Sequence, residues 1–247
     1  MAKVQREVVV TAITELTPHL RRISFGGDSL QTFPVGQETA YIKFAFPSES
    51  EGGRTRMRSY TVRHFSLDDL RLDVDFALHD VGGPATRWAE QCKVGDTITM
   101  AGPGPTKRVD LGADWFFLVG DMSALPAIAA NIDALPSSAK GHVVVEILSE
   151  EDKLDLGEPS GLEVTWVVNP HPESGSGLID AVRERPWHDG VPAIWSACEF
   201  GKMKLLRTYF STTRQVAPEH RYISSYWKIC ASDEDHKKAK SEDTPRR

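Results

Sequence analysis

Two stretches of the chain carry side chains with a chemistry of their own. The first is Arg58-Ser59-Tyr60-Thr61-Val62-Arg63, and the second runs from His79 to Trp88 as His-Asp-Val-Gly-Gly-Pro-Ala-Thr-Arg-Trp. In extended backbone, side chains alternate between faces, so Arg58, Tyr60 and Val62 are expected on one side and Ser59, Thr61 and Arg63 on the other. A guanidinium binds a pyrophosphate through two parallel hydrogen bonds, a tyrosine ring covers a planar heterocycle, and a hydroxyl reaches that heterocycle's edge. In the second stretch Gly82 and Gly83 let backbone come close to a ligand, and Pro84 suits the first turn of a helix continuing to Cys92. The free N–H groups of that turn, near Ala85 and Thr86, face an anion. Singly, each feature has an ordinary explanation: Arg58 as a surface ion pair, Tyr60 as a barrel side chain, the glycines as a turn into a helix. In succession they describe a ledge for a flavin and its phosphates.

Three motifs in order, Arg58-x-Tyr60-Thr61, Gly82-Gly83-Pro84-Ala85-Thr86-x-Trp88 and Gly120-Asp121-Met122-Ser123-Ala124-Leu125-Pro126-Ala127, resemble those of the siderophore-interacting proteins. These are flavin-dependent ferric-siderophore reductases of the ferredoxin-reductase superfamily. The resemblance covers nearly the whole chain, from Val8 to Lys228. It implies FAD bound by Arg58, Ser59, Tyr60, Thr61, Val62, Arg63, His79, Gly82, Gly83, Pro84, Ala85, Thr86, Tyr226 and Trp227. Within that set it places Tyr60 on the isoalloxazine and Thr61 near its reactive nitrogen. NAD(P)H is implied beside Asp121, Ser123, Ala124 and Glu199, and a ferric siderophore beside Lys43 and Lys228.

The chain departs from the family pattern at Met122, where an acidic residue is usual, and at Ser123, where threonine is. It departs again at Cys198, within a segment usually Ala-Gly-Glu, and at Ile229-Cys230, where a glycine follows the Tyr-Trp pair. The Gly-x-Gly-x-x-Gly turn of a dinucleotide fold is also missing. Lys43, alone in the apolar run Tyr41 to Phe46, reads equally as a solvent-facing strand residue. Tyr226 and Trp227 also read as sheet core and Cys198 as a small buried residue, while Lys202, Lys204 and Arg207, placed where they could meet a phosphate, read more simply as a solvated helix face.

With 247 residues the chain is long enough for one large domain or two ordinary ones. A net charge of −6 argues against a general nucleic-acid binder. No segment has the apolar length of a membrane span, and the first residues lack the apolar core of a secretory signal, so a cytoplasmic protein is expected. Three widely spaced cysteines cannot hold an ordinary iron–sulfur cluster, and the eight histidines form no helical metal pair. Neither a protein-bound metal nor an acid–base catalytic residue is expected.

Short β-rich runs fill the first hundred residues: Val8–Ile13, Leu20–Phe25, Tyr41–Phe46, Ser59–Phe65, Leu70–Leu78 and Thr97–Gly102. Leu72, Val74, Phe76 and Leu78 alternate with Asp73 and Asp75. Strand and helix patterns alternate after Trp115. The expected architecture is a six-stranded antiparallel flavin barrel over 1–108, then a doubly wound parallel nucleotide-binding α/β domain over 109–230. The segment Ser48 to Thr55 reads as a mobile loop, and the charged stretch 231–247 as a frayed tail, although the family often carries a helix there.

The expected function is electron transfer from NAD(P)H through FAD to ferric iron in a siderophore. A flavoprotein feeding a protein partner and a non-catalytic flavin or siderophore binder are the alternatives. The choice of NADH or NADPH, the siderophore class and the oligomeric state stay open, with a monomer among the possibilities.

Overall fold

The computed structural model describes residues 4–47, 55–79, 83–157, 159–173, 175, 177–229, 231 and 233–243. Residues 48–54 of the expected loop Ser48 to Thr55, together with Gly82 and Cys230, lie outside them. The chain forms two compact units, Met1–Arg108 with Ala129–Asn131, and Val109–Ile128 with Ile132–Arg247. Among the described residues no helix is long and apolar enough to cross a membrane.

The first unit is an antiparallel sheet of seven strands: β1 (Gln5–Thr17), β2 (Leu20–Gly26), β3 (Tyr41–Phe46), β4 (Arg56–Thr61), β5 (His64–Ser66), β6 (Arg71–Ala77) and β7 (Thr97–Ala101). Their order is β4-β3-β7-β1-β2-β6-β5, so the outer strands β4 and β5 leave the barrel unclosed. The strand beyond the expected six arises because the run Ser59–Phe65 changes partner midway. Val62 exchanges backbone hydrogen bonds with Ala40 and Thr39 at 2.8 and 3.0 Å, next to β3, whereas Arg63 donates to the Asp73 carbonyl on β6 at 3.0 Å.

Leu72, Val74 and Phe76 point into the core as their alternation requires. Asp73 and Asp75, on the other face, are also buried because β2 sets polar partners opposite them. Asp73 accepts from the Ser24 hydroxyl at 2.7 Å, and Asp75 takes both arms of Arg22 at 2.7 and 2.9 Å. Helix α1 (Pro84–Gln91) lays Ala85 and Ala89 against the same core.

The second unit is a parallel sheet of β8 (Trp115–Asp121), β9 (Lys140–Ile147), β10 (Gly161–Val168), β11 (Pro192–Glu199) and β12 (Arg221–Trp227), in the order β10-β9-β8-β11-β12. Helices α2 (Leu125–Ile132), α3 (Gly177–Glu184) and α4 (Phe200–Thr208) connect the strands. Strand order reverses between β8 and β11, and ligands of open α/β sheets bind outside the carboxyl ends at such a reversal. Gly120 is needed there: a Cβ would stand 2.8 Å from that of Ala124 and 2.9 Å from the Ala197 carbonyl.

The charged stretch after 231 is not a frayed tail over its described part, which forms α5 (Asp233–Asp243). Its anchors are polar rather than apolar, which is why hydropathy does not reveal it. His236 bonds the Ser225 hydroxyl at 2.8 Å, Lys240 donates to the Ser224 hydroxyl at 2.6 Å and the Ser225 carbonyl at 3.0 Å, and Arg207 grips Asp243 at 2.7 and 3.0 Å. The hydrogen bond from Arg207 holds the Asp243 carboxyl below its ordinary pKa. A carboxyl whose pKa is depressed by folding stabilises above its unfolded pKa and ceases to as pH falls through the folded one. Amide exchange across 233–243 is therefore expected to quicken, after correction for intrinsic rates, as pH drops below about 4. Arg207→Ala should remove that pH step. The change is under about 1 kcal/mol, because solvent screens the pair.

Candidate functional site

Strand β4 sets Arg58 opposite Phe44, Ser59 opposite Lys43, Tyr60 opposite Ile42 and Thr61 opposite Tyr41. The Tyr60 ring packs 4.2 Å from Phe76, 6.0 Å from Phe44 and 6.1 Å from Phe46. Burial pushes its phenol far above the ordinary range, with Arg58 pulling the other way. Ser59 is exposed and Thr61 is buried. Val62 is fully buried past the strand end, and Arg63 follows it onto β6. The expected alternation therefore stops at Thr61, where the chain changes partner.

The second stretch meets the first through shared aromatic neighbours. Trp88, from α1, lies 5.6 Å from Phe46 and 6.1 Å from Phe76, the same two rings that hold Tyr60. The start of α1 fits a phosphate-bearing cofactor. Gly83 is the N-cap and Pro84 occupies the first turn; among the described residues no side chain caps the helix, and a Cβ on Gly83 would meet none of their atoms within 4 Å. The amides of the first turn have no partners inside a helix, so they are donors in search of an acceptor. Ala85 and Thr86 are buried, and the Thr86 hydroxyl lies 3.2 Å from Nε2 of exposed His79. Gly82 belongs to this loop but lies outside the described residues. Lys43 is half-buried on β3, between Ser59 and Ala101.

At the carboxyl ends of β8 and β11, the nicotinamide candidates are tied to one another. Buried Asp121 accepts from the Ser123 amide at 3.0 Å and hydroxyl at 2.5 Å, from the Glu199 amide at 2.9 Å and from the Trp227 indole at 2.8 Å. Burial raises its pKa against the pull of those donors. Glu199 caps α4, accepting from Gly201 at 2.5 Å and Lys202 at 3.1 Å, and also takes the Ile229 amide at 3.3 Å. Ala124 is fully buried. Tyr226 stands edge-on to Trp195 at 6.4 Å, and Lys228 lies 5.3 Å over the Phe200 ring. Cys198 is fully buried, and burial lifts its thiol well above the ordinary range.

Lys202 is not on a solvated face. It is buried, bonded to Glu146 and to the Pro172 carbonyl at 3.0 Å. Arg207 likewise serves Asp243. Burial raises the Glu146 pKa, and the Lys202 bond opposes that rise. The sequence marks Lys202 only as one of three cations after Glu199, and its partner escapes notice although Glu146 is a lone charge in the apolar run Val143-Val144-Val145-Glu146-Ile147.

Two family models match in tandem, the siderophore-interacting FAD-binding domain over residues 9–54 and 48–107 and the siderophore-interacting protein over residues 113–229. The chain belongs to the siderophore-interacting protein family. The match to the siderophore-interacting FAD-binding domain contains β4 and α1, the elements that carry the residues expected to form the ledge. A relative in Vibrio cholerae, the ferric vibriobactin reductase ViuB, is 29% identical over 237 residues, spanning 89% of this chain and 88% of its own. The siderophore-interacting protein SipS of Aeromonas hydrophila superposes with a TM-score of 0.87 at 32% identity, covering 97% of this chain and 98% of SipS. The ferredoxin reductase in carbazole 1,9a-dioxygenase shares the fold alone, with a TM-score of 0.70 at 15% identity over 91% of this chain and 69% of that one.

Proposed function

We propose that this protein reduces the ferric iron of a siderophore, using FAD as its cofactor and NAD(P)H as its electron donor. The observation that carries the reading is that Tyr60 of β4 and Trp88 of α1 pack on the same two rings, Phe46 and Phe76, with no side-chain cap at the start of α1 among the described residues, inside the matched FAD-binding domain. FAD held there would supply the conversion between the paired electrons of a reduced nicotinamide and the single electrons that ferric iron takes.

The chain's own residues bind and orient. Arg58, Gly83 and the amides at Ala85 and Thr86 hold the phosphates. Tyr60 offers a rigid ring fixed by Phe76, and Thr61 offers a hydroxyl at the strand's end. Ser59, Val62, Arg63, His79, Pro84, Tyr226 and Trp227 complete the cofactor set. The turn after β8, with Ser123 and Ala124, and the Glu199 cap form the nicotinamide side, at the strand reversal where open α/β sheets bind ligands. The fold shared with a ferredoxin reductase supports that donor, and ViuB's description as a ferric vibriobactin reductase supports the acceptor. Lys43 and Lys228 supply cations toward an anionic chelate.

The test is an absorbance spectrum of the FAD-loaded protein, followed anaerobically through addition of NADH, then NADPH, then a ferric siderophore. A flavin spectrum that bleaches with one nicotinamide and returns with the chelate is the expected result. A chain that takes up no FAD would overturn the assignment of the ledge. A flavin that neither nicotinamide bleaches would overturn the donor.

A further inference from the structure

Asp121 was expected to touch the nicotinamide, yet its hydrogen-bonding capacity is already taken. Oδ1 accepts two bonds from Ser123 and Oδ2 accepts one each from Glu199 and Trp227. An ionised carboxylate offers about four lone-pair positions, so none remains for a carboxamide. The donors come from its own turn after β8, from the end of β11 and from the end of β12, and the side chain is only 5% exposed.

The indole of Trp227 has a single polar atom, and it can only donate. A tryptophan ring turns through a broad second torsion, and one charge-assisted bond at its edge fixes that rotation. The same carboxylate holds the Ser123 hydroxyl. A ligand oxygen that drew this hydroxyl away would relax Oδ1, and the change would reach Trp227 through one shared group.

We infer that Asp121 is a positioning residue: it fixes the Trp227 indole to the turn after β8, and nicotinamide-driven reduction of the flavin depends on it through Trp227 rather than by contact. The inference rests on the reading of Trp227 as part of the cofactor site.

The test uses Asp121→Asn, Trp227→Phe and the double variant in the FAD-loaded protein. Asparagine keeps the shape but turns acceptor positions toward donors, and phenylalanine keeps an aromatic ring without the N–H. The six tryptophans give six indole signals in a nitrogen–proton spectrum, and the one missing in Trp227→Phe belongs to Trp227. That signal should exchange slowly in the wild type and shift in Asp121→Asn. Stopped-flow reduction of the flavin by NADH or NADPH should slow about tenfold in either single variant and no further in the double. In Asp121→Asn, reduction by dithionite, which needs no nicotinamide, should change far less than reduction by NADH or NADPH.

Additive losses, or a Trp227 signal that Asp121→Asn does not move, would overturn the inference. If Asp121→Asn does not fold, the wild-type signal decides, since rapid exchange of the Trp227 N–H contradicts the tether. A wild-type flavin that neither nicotinamide reduces overturns the underlying reading and the dependence with it, while a shifted indole signal would still identify the tether.

Discussion

Replacing Lys202 with methionine is expected to destabilise the protein by about 3–5 kcal/mol, the cost of leaving one member of a buried ion pair without the other. Lys202 and Glu146 are both nearly inaccessible, at 6% and 2% exposure. Taking an ammonium and a carboxylate out of water is costly, and each is tolerated because it neutralises the other. In Lys202→Met the Glu146 carboxyl loses its cation while Asp121 remains nearby with the same sign. Glu146 must then stay charged at a high cost or take up a proton. A second variant separates charge from packing. Glu146→Leu combined with Lys202→Met removes both charges and keeps apolar volume, so it should recover most of the loss or exceed wild-type stability. Urea unfolding followed by circular dichroism measures all three proteins. A single variant as stable as the wild type, or a double variant no better than the single, would contradict this account of the pair.

Gly83→Val is expected to weaken FAD binding by about 3 kcal/mol, roughly 100-fold in Kd, while leaving the cofactor-free fold nearly intact. The two effects separate because Gly83 has φ −74° and ψ 177°, ordinary extended backbone, and no atom of the described residues stands within 4 Å of where a Cβ would sit. The glycine is therefore not required by the protein's own packing. Loss of the favourable N-cap accounts for about 1 kcal/mol of stability at most. A branched side chain there fills the space through which a phosphate would approach the amides at the start of α1. Fluorescence titration with FAD reads the affinity and thermal melting of the cofactor-free protein reads the fold. Wild-type affinity in a folded Gly83→Val would remove the helix start from the site, and the case would then rest on Arg58 and Tyr60.

Local pattern made the architecture legible. The alternation through Leu72, Val74 and Phe76 gave the buried face of β6, and the continuous apolar run from Trp115 gave a strand buried on both faces. What escaped depends on partners far away in sequence. The end of β4 at Thr61 is set by where Ala40 and Asp73 stand, which the run Ser59–Phe65 does not contain. Asp73 and Asp75 read as a wet face until Ser24 and Arg22 are placed across from them.

The site divides in the same way. Arg58, Tyr60 and the glycine loop are readable because each carries its chemistry in its own side chain or in its lack of one. The role of Asp121 is not, because it is defined by donors at Glu199 and Trp227. Lys202 lies beside Lys204 and Arg207 in a run that looks solvated, and only the position of β9 shows that it is buried.

Helix α5 has a consequence for how molecules of this protein can associate. Strand β12 is the last of its sheet, and an outermost strand is a template onto which another chain can add. Lys240 donates to the Ser225 carbonyl of β12 and His236 engages that residue's hydroxyl, so long polar side chains of α5 sit against this outer strand. At the opposite rim, β10 leaves Val164 and Val168 exposed. Addition of a further strand at β12 would thus have to displace these side chains of α5, a barrier that β10 is not shown to share.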